Sequence, residues 1–242
     1  MTILRYLKLL LIFFHLLLGI FLSIIITLST KKIQILIIQY WCNILLAIIN
    51  VQIHCNINLS SLYKNNHYLV VSNHISWLDI IVLNALAPVS FVAKDNIKYW
   101  PIINLLAKSC DTIFINRDSL TDVRRIFSKV EAMLEKNSIC IFPEGTSTNG
   151  SLVLPFKSNL FQAAINSKKD ILPIALEYHN NDELLVEIGY YGDISLISSI
   201  WNVVGLNNIK VRLTVLPVIK SNLDRKLLAQ SAFQKIRAII AR

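Results

Sequence analysis

Two short runs hold the residue types best suited to chemistry. One is Asn73-His74-Ile75-Ser76-Trp77-Leu78-Asp79, the other Phe142-Pro143-Glu144-Gly145-Thr146-Ser147. A neutral imidazole accepts a proton from an alcohol near neutral pH once its tautomer is fixed. Asp79, five positions after His74, supplies a carboxylate that can fix it. Glu144 offers a carboxylate, Gly145 a tight turn with accessible amides, and Thr146 a hydroxyl, all directed at a polar substrate. Arg117 closes the apolar run Ile113-Phe114-Ile115-Asn116, where a rigid fork of donors suits a phosphate or carboxylate. Lys157, in Leu154-Pro155-Phe156-Lys157-Ser158, adds a cation near a helix start. Each has a plainer alternative: a surface His beside a helix-initiating Asp, solvated cations, an ordinary Pro-Glu-Gly turn.

Other chemistries find less support. His54, His67 and His179 have no His or Cys at a ligand spacing, and the four cysteines (Cys42, Cys55, Cys110, Cys140) form no C-x-x-C pair, so no metal is expected. There is no G-x-S-x-G elbow and no glycine-rich phosphate loop. Cys140 sits in an apolar strand, which favours packing over nucleophilicity. The 24 Lys and Arg exceed 15 Asp and Glu, a net charge of +9. These cations are dispersed and not interleaved with aromatics, so they suit an anionic membrane surface better than nucleic acid. Reduced thiols fit a cytoplasmic face.

The elements that must position these residues follow from hydrophobic periodicity. Val51–Ile57 alternates as a short strand, and Tyr68–Val71 is an apolar strand delivering the chain to His74. Leu78–Leu86 reads as a helix, Ser90–Ala93 as a strand, Pro101–Lys108 as a helix and Thr112–Ile115 as a strand. A helix through Val123–Leu134 precedes a strand at Ser138–Phe142, which empties into Glu144. A helix from Ser158 to Asn166, strands at Ile171–Tyr178, Leu184–Ile188 and Lys210–Leu216, and an amphipathic basic helix over Leu223–Ile240 complete the chain. Alternating strands and helices predict an α/β domain with a central, mostly parallel or mixed sheet flanked by helices. The candidate residues fall where apolar strands end, which is where such sheets place their sites.

The chain is 54% hydrophobic over 242 residues, with mean hydropathy +0.54. Much of the excess is N-terminal. Leu9–Leu28 carries no formal charge and would span about 30 Å as a helix, close to a bilayer's hydrocarbon thickness. It exceeds a signal-peptide core and lacks an A-x-A-like site, so it reads as a retained anchor. Ile33–Val51 follows, with Gln34, Gln39, Trp41, Asn43 and Asn50 scattered through it, more an interfacial helix than a clean span. Arg5 and Lys8 precede the first segment and Lys31-Lys32 follow it, so charge asymmetry gives no orientation. We expect a two-helix motif over residues 1–52, dipping into one leaflet and returning, ahead of an α/β domain over 53–242.

The motifs, their order and their spacing resemble the glycerolipid acyltransferase family of the PlsC type, over roughly residues 60 to 180. An H-x4-D block matches at His74 and Asp79. An apolar strand ending in Arg matches at Phe114-Ile115-Asn116-Arg117, F-P-E-G-T-[SR] at Phe142 to Ser147, and an apolar segment with a central Pro at Ile171-Leu172-Pro173-Ile174-Ala175. The resemblance implies an O-acyltransferase acting on a membrane lipid at the cytoplasmic face of the inner membrane. Acyl-ACP or acyl-CoA would be the co-substrate, no other cofactor being implied, and lysophosphatidate the acceptor. His74 would deprotonate the acceptor hydroxyl and Asp79 would orient His74, while Arg117, Glu144, Gly145, Thr146 and Lys157 would hold the polar head. Departures occur at Cys110-Asp111 and Asn159, where the family often has Gly. The run Pro155-Phe156-Lys157-Ser158-Asn159-Leu160-Phe161 looks closer to the lyso-ornithine-lipid branch, so that acceptor is the alternative. A catalytically silent lipid-binding scaffold is the alternative of another class.

Overall fold

The computed structural model describes residues 2–64, 66–95, 99–115 and 120–241. The chain begins with two helices, α1 (Thr2–Leu28) and α2 (Lys31–Ile49), and then enters β1 (Val51–Cys55). A short α3 (Leu59–Tyr63) leads to β2 (Leu69–Ser72), α4 (Leu78–Leu86), β3 (Ser90–Lys94), α5 (Pro101–Ser109) and β4 (Ile113–Ile115). After α6 (Leu120–Leu134) come β5 (Ile139–Ile141), α7 (Phe161–Asn166), β6 (Ile171–Asn180) and β7 (Glu183–Leu184). The chain ends through α8 (Leu196–Gly205), β8 (Ile209–Val215) and α9 (Arg225–Ile240).

The strands form one mixed sheet in the order β1-β8-β6-β2-β5-β3-β4, with β7 beside β6. Five of its pairings are parallel; β6 runs antiparallel to β8 and to β7. Alternation along each strand assigns its two faces. In β2, Val70 faces a core shared with α1, α2, α4 and α8, through residues such as Ile12, Leu46, Leu83 and Val203. Leu69 and Val71 face the opposite core, built with α6, α7 and α9 through Val130, Phe161 and Ala232. Both faces are covered, which is why β2 reads as a continuous apolar run.

The α1–α2 pair shares the first of these cores and lies against the body along its length. At one end, Lys8 Nζ donates to the carbonyls of Ile49, Val204 and Leu206 at 3.5, 3.4 and 3.3 Å. At the turn between the helices, Lys31 Nζ pairs with Asp111 at 2.8 Å. The polar residues scattered through α2 serve the carbonyls that helices leave orphaned at their C-termini. Gln39 and Asn43 donate to Ala85 and Leu86 at the end of α4, and Gln34 donates to Ile26 and Ser29 at the end of α1. By length and composition both helices could cross a membrane. The outer face of α1 leaves Leu10, Phe13, Phe14, Leu17, Phe21 and Ile24 exposed.

Three elements differ from the sequence expectation. The strand expected over Leu184–Ile188 is confined to Glu183–Leu184, and Val186–Ile188 forms a 3-10 turn. The hairpin with β6 closes at the bond from Leu185 N–H to Tyr178 O (2.8 Å), after which the chain leaves the ladder to cross toward Ile75. Helix α8, capped by Ser195, and the short α3, capped by Asn58, were not anticipated. Asn116 and Arg117 lie outside the described residues.

Candidate active site

The site forms where β2 and β5 end side by side. Beyond Ser72, Asn73 is locked to β6 by two bonds: its amide donates to Leu176 O at 2.9 Å and accepts from Leu176 N–H at 2.8 Å. This anchor fixes the backbone one residue before His74. Asp79 lies in the first turn of α4, fully buried, where a carboxylate is favoured by the helix dipole. Its Oδ2 accepts from the amides of Ile75 and Ser76 at 2.7 and 3.0 Å and lies 2.8 Å from His74 Nδ1. Its Oδ1 accepts from the Tyr178 hydroxyl at 2.8 Å.

A carboxylate at Nδ1 selects the tautomer with the proton on that nitrogen, leaving the Nε2 lone pair as base. The imidazole stacks on Phe142 (4.1 Å between centroids, 15° between planes), and its side chain is 22% exposed. The ring is therefore oriented by contacts within the protein, while part of its side chain stays accessible.

The second motif grips the backbone of His74. Glu144 Oε1 accepts from the His74 amide and Oε2 from the Leu154 amide, both at 2.7 Å. Thr148 N–H donates to His74 O at 2.9 Å. Burial pushes the Glu144 carboxyl up from 4.5 to about 7, against the opposing pull of the Leu154 and His74 amides. The turn itself uses Gly145 at φ 78°, a region that favours glycine, with its N–H donating to Phe142 O at 3.1 Å. Gly150, at φ 84°, closes the same loop over Ile75, and a Cβ there would meet Ile75 Cδ1 at 3.0 Å.

The residues singled out in the sequence therefore divide. His74 and Asp79 are in direct contact, and Glu144 joins them through the backbone. The carboxylate expected to meet a substrate's polar head is turned to the protein's own amides, because those amides would otherwise be left without acceptors. Thr146 and Lys157 are exposed, and the Lys157 N–H donates to Pro143 O at 2.9 Å, so both flank the Glu-Gly-Thr turn. Arg117 lies outside the described residues. Cys140 is fully buried, and burial followed by the Asp79 charge pushes its thiol well above its ordinary value, so it is no nucleophile. Among the described residues, no three His, Cys, Asp or Glu side chains converge to hold a metal ion.

Sequence reasoning missed Tyr178, Thr148, Asn73 and the brace from residues 185–205. Tyr190 N–H donates to Ile75 O at 2.8 Å, Ser147 Oγ donates to Tyr190 O, and Trp77 Nε1 donates to Ser199 Oγ at 3.1 Å. One signal was present: a tyrosine inside an apolar strand needs a partner for its hydroxyl.

The Acyltransferase family matches residues 51–177. A Neisseria meningitidis protein named 1-acyl-sn-glycerol-3-phosphate acyltransferase is 34% identical over 179 residues, 73% of this chain and 70% of the relative. A Pseudomonas aeruginosa protein named lyso-ornithine lipid O-acyltransferase is 34% identical over 171 residues, 70% of this chain and 66% of the relative. In fold, the chain is similar to the crystal structure of the 1-acyl-sn-glycerophosphate acyltransferase PlsC from Thermotoga maritima. The TM-score is 0.70 at 17% identity, covering 100% of this chain and 96% of that one.

Proposed function

The chain belongs to the acyltransferase family, and from that premise we propose that it acylates the sn-2 hydroxyl of 1-acyl-glycerol-3-phosphate, giving phosphatidate. The donor is an acyl thioester on acyl carrier protein or coenzyme A. The observation that carries this reading is the 2.8 Å contact between His74 Nδ1 and a buried Asp79, on a histidine whose side chain remains partly exposed.

The proton balance follows from that geometry. His74 Nε2 takes the proton from the acceptor hydroxyl as its oxygen attacks the thioester carbonyl. The new C–O bond forms a tetrahedral intermediate, and Asp79 stabilises the imidazolium. Collapse breaks the C–S bond, and the imidazolium returns its proton to the leaving thiolate. No covalent acyl-enzyme intervenes. Glu144 and Thr148 hold the His74 backbone, while Thr146, Lys157, the Gly145 turn and Arg117 meet the phosphate of the acceptor. The reaction takes place at the cytoplasmic face of the inner membrane, with the α1–α2 pair as the lipid contact.

Purified protein offered lysophosphatidate and lyso-ornithine lipid in parallel, each with acyl-ACP and acyl-CoA, tests the assignment. We expect preference for lysophosphatidate. Preference for the amino-acid lipid would move the chain to the second acceptor, a reading favoured by its Pro155–Phe161 run and by the Pseudomonas relative.

A further inference from the structure

Tyr178 lies in β6 on the face packed against α2 and α4, and it is 1% exposed. Its hydroxyl donates to Asp79 Oδ1 at 2.8 Å. The other oxygen of that carboxylate serves His74 Nδ1 and two backbone amides. Among the described residues, Tyr178 is therefore the one donor to Oδ1. The two residues are 99 positions apart, so this bond ties the far half of the sheet to the first catalytic turn.

Resting on the reading of His74 as base, we infer that Tyr178 is a positioning residue for acyl transfer, acting on His74 through Asp79. Rotation about the Cβ–Cγ bond of Asp79 moves both oxygens together, so a donor at either one restrains it. A second donor at Oδ1 holds Oδ2 in line with the imidazole Nδ1–H. The same donor draws charge from the carboxylate and limits how strongly it pulls on the imidazole proton. A phenylalanine would fill the same apolar volume without a hydroxyl to desolvate, so packing alone does not call for the phenol.

Tyr178 remains a donor throughout the working range, because burial and then the Asp79 charge push its ionisation well above the ordinary phenol value. The other groups that feel the Asp79 charge are His74 itself, Cys140 from β5 and Glu144 from the adjoining loop. Neither Cys140 nor Glu144 donates to Oδ1 among the described bonds.

The test compares wild type, Tyr178→Phe, Asp79→Asn and the double variant as full-length protein in detergent. Tyr178→Phe should lower kcat by about tenfold to a hundredfold, the span expected for losing one hydrogen bond to a charged group. KM should stay within about twofold, because the phenol touches no substrate. The acid limb of kcat/KM should move to higher pH as the freed carboxylate pulls harder on the imidazole, and the His74 Nδ1–H proton resonance should shift. In the Asp79→Asn background the same change should cost less than about twofold, because the pathway is already cut. Unchanged kcat, acid limb and resonance would overturn the inference, as would an equal loss with and without Asp79. If wild type transfers no acyl group, the reading of the site fails separately. The resonance still decides the positioning claim: displaced supports it, unchanged overturns it.

Discussion

Around Asp79, four donors converge on one buried carboxylate, whereas along the outer face of α1 Phe13, Phe14 and Phe21 are 56%, 57% and 59% exposed. The first region is specified by direction: moving any donor by an ångström would lose a bond. The second is specified by composition, since any large apolar side chain would serve a lipid contact equally well. Substitutions should therefore be costly and residue-specific at the site, and gradual and interchangeable on the helix face.

The sharpest break in that comparison is Asp79→Asn. It keeps the shape but removes the charge that selects the Nδ1–H tautomer, so kcat should fall by roughly a thousandfold to ten-thousandfold, as in serine-protease triads. Vesicle partition should be unchanged. A loss of less than tenfold would mean that His74 does not depend on the carboxylate.

Glu144→Gln comes next. The folded carboxyl titrates at about 7 against 4.5 when unperturbed. Between those values the folded chain holds a proton that the unfolded chain has released. This contribution to stability is fully present below about pH 4.5 and is lost as pH rises through about 7. One proton corresponds to a slope of up to about 1.4 kcal/mol per pH unit. Denaturation at pH 5 and pH 8 should show this slope in wild type and not in Glu144→Gln. Because the amide cannot accept from both backbone N–H groups, kcat should also fall by about tenfold. Equal pH dependence in the two proteins would contradict the assignment.

Serine at Phe13, Phe14 and Phe21 together probes the other region. Partition into anionic vesicles should drop by at least about tenfold, given roughly 1 kcal/mol for each half-buried ring. Detergent-assayed kcat should stay within about twofold. If both fall together, α1 shapes the site as well as the lipid contact.

The smallest effect is expected from Ser199→Ala, which leaves Trp77 Nε1 without its acceptor. Stability should fall by about 1 kcal/mol and kcat by less than threefold, as read by thermal unfolding and steady-state assay.

The same contrast explains what was legible in the sequence. Composition alone marks α1 and α2, and apolar runs mark β2 and β5, because burial on both sheet faces leaves a local pattern. His74 and Asp79 are five residues apart, within one strand end and one helix turn, so their contact is a local matter too. Tyr178, the targets of Glu144 and the pairing of Lys31 with Asp111 depend on which distant segments the sheet order brings together. No periodicity encodes that. The motif marks the Glu144 carboxylate, but its partners, the amides of His74 and Leu154, are backbone groups of a kind that carries no sequence signature. The 3-10 turn at Val186–Ile188 was likewise hidden, because its apolar residues suit a strand until the chain must turn toward Ile75.

The most direct test of the central claim is acyl transfer to lysophosphatidate by detergent-purified wild type and His74→Ala, with vesicle sedimentation of both. The account predicts product from wild type only, with equal sedimentation. Product from His74→Ala at a comparable rate would show that another group is the base.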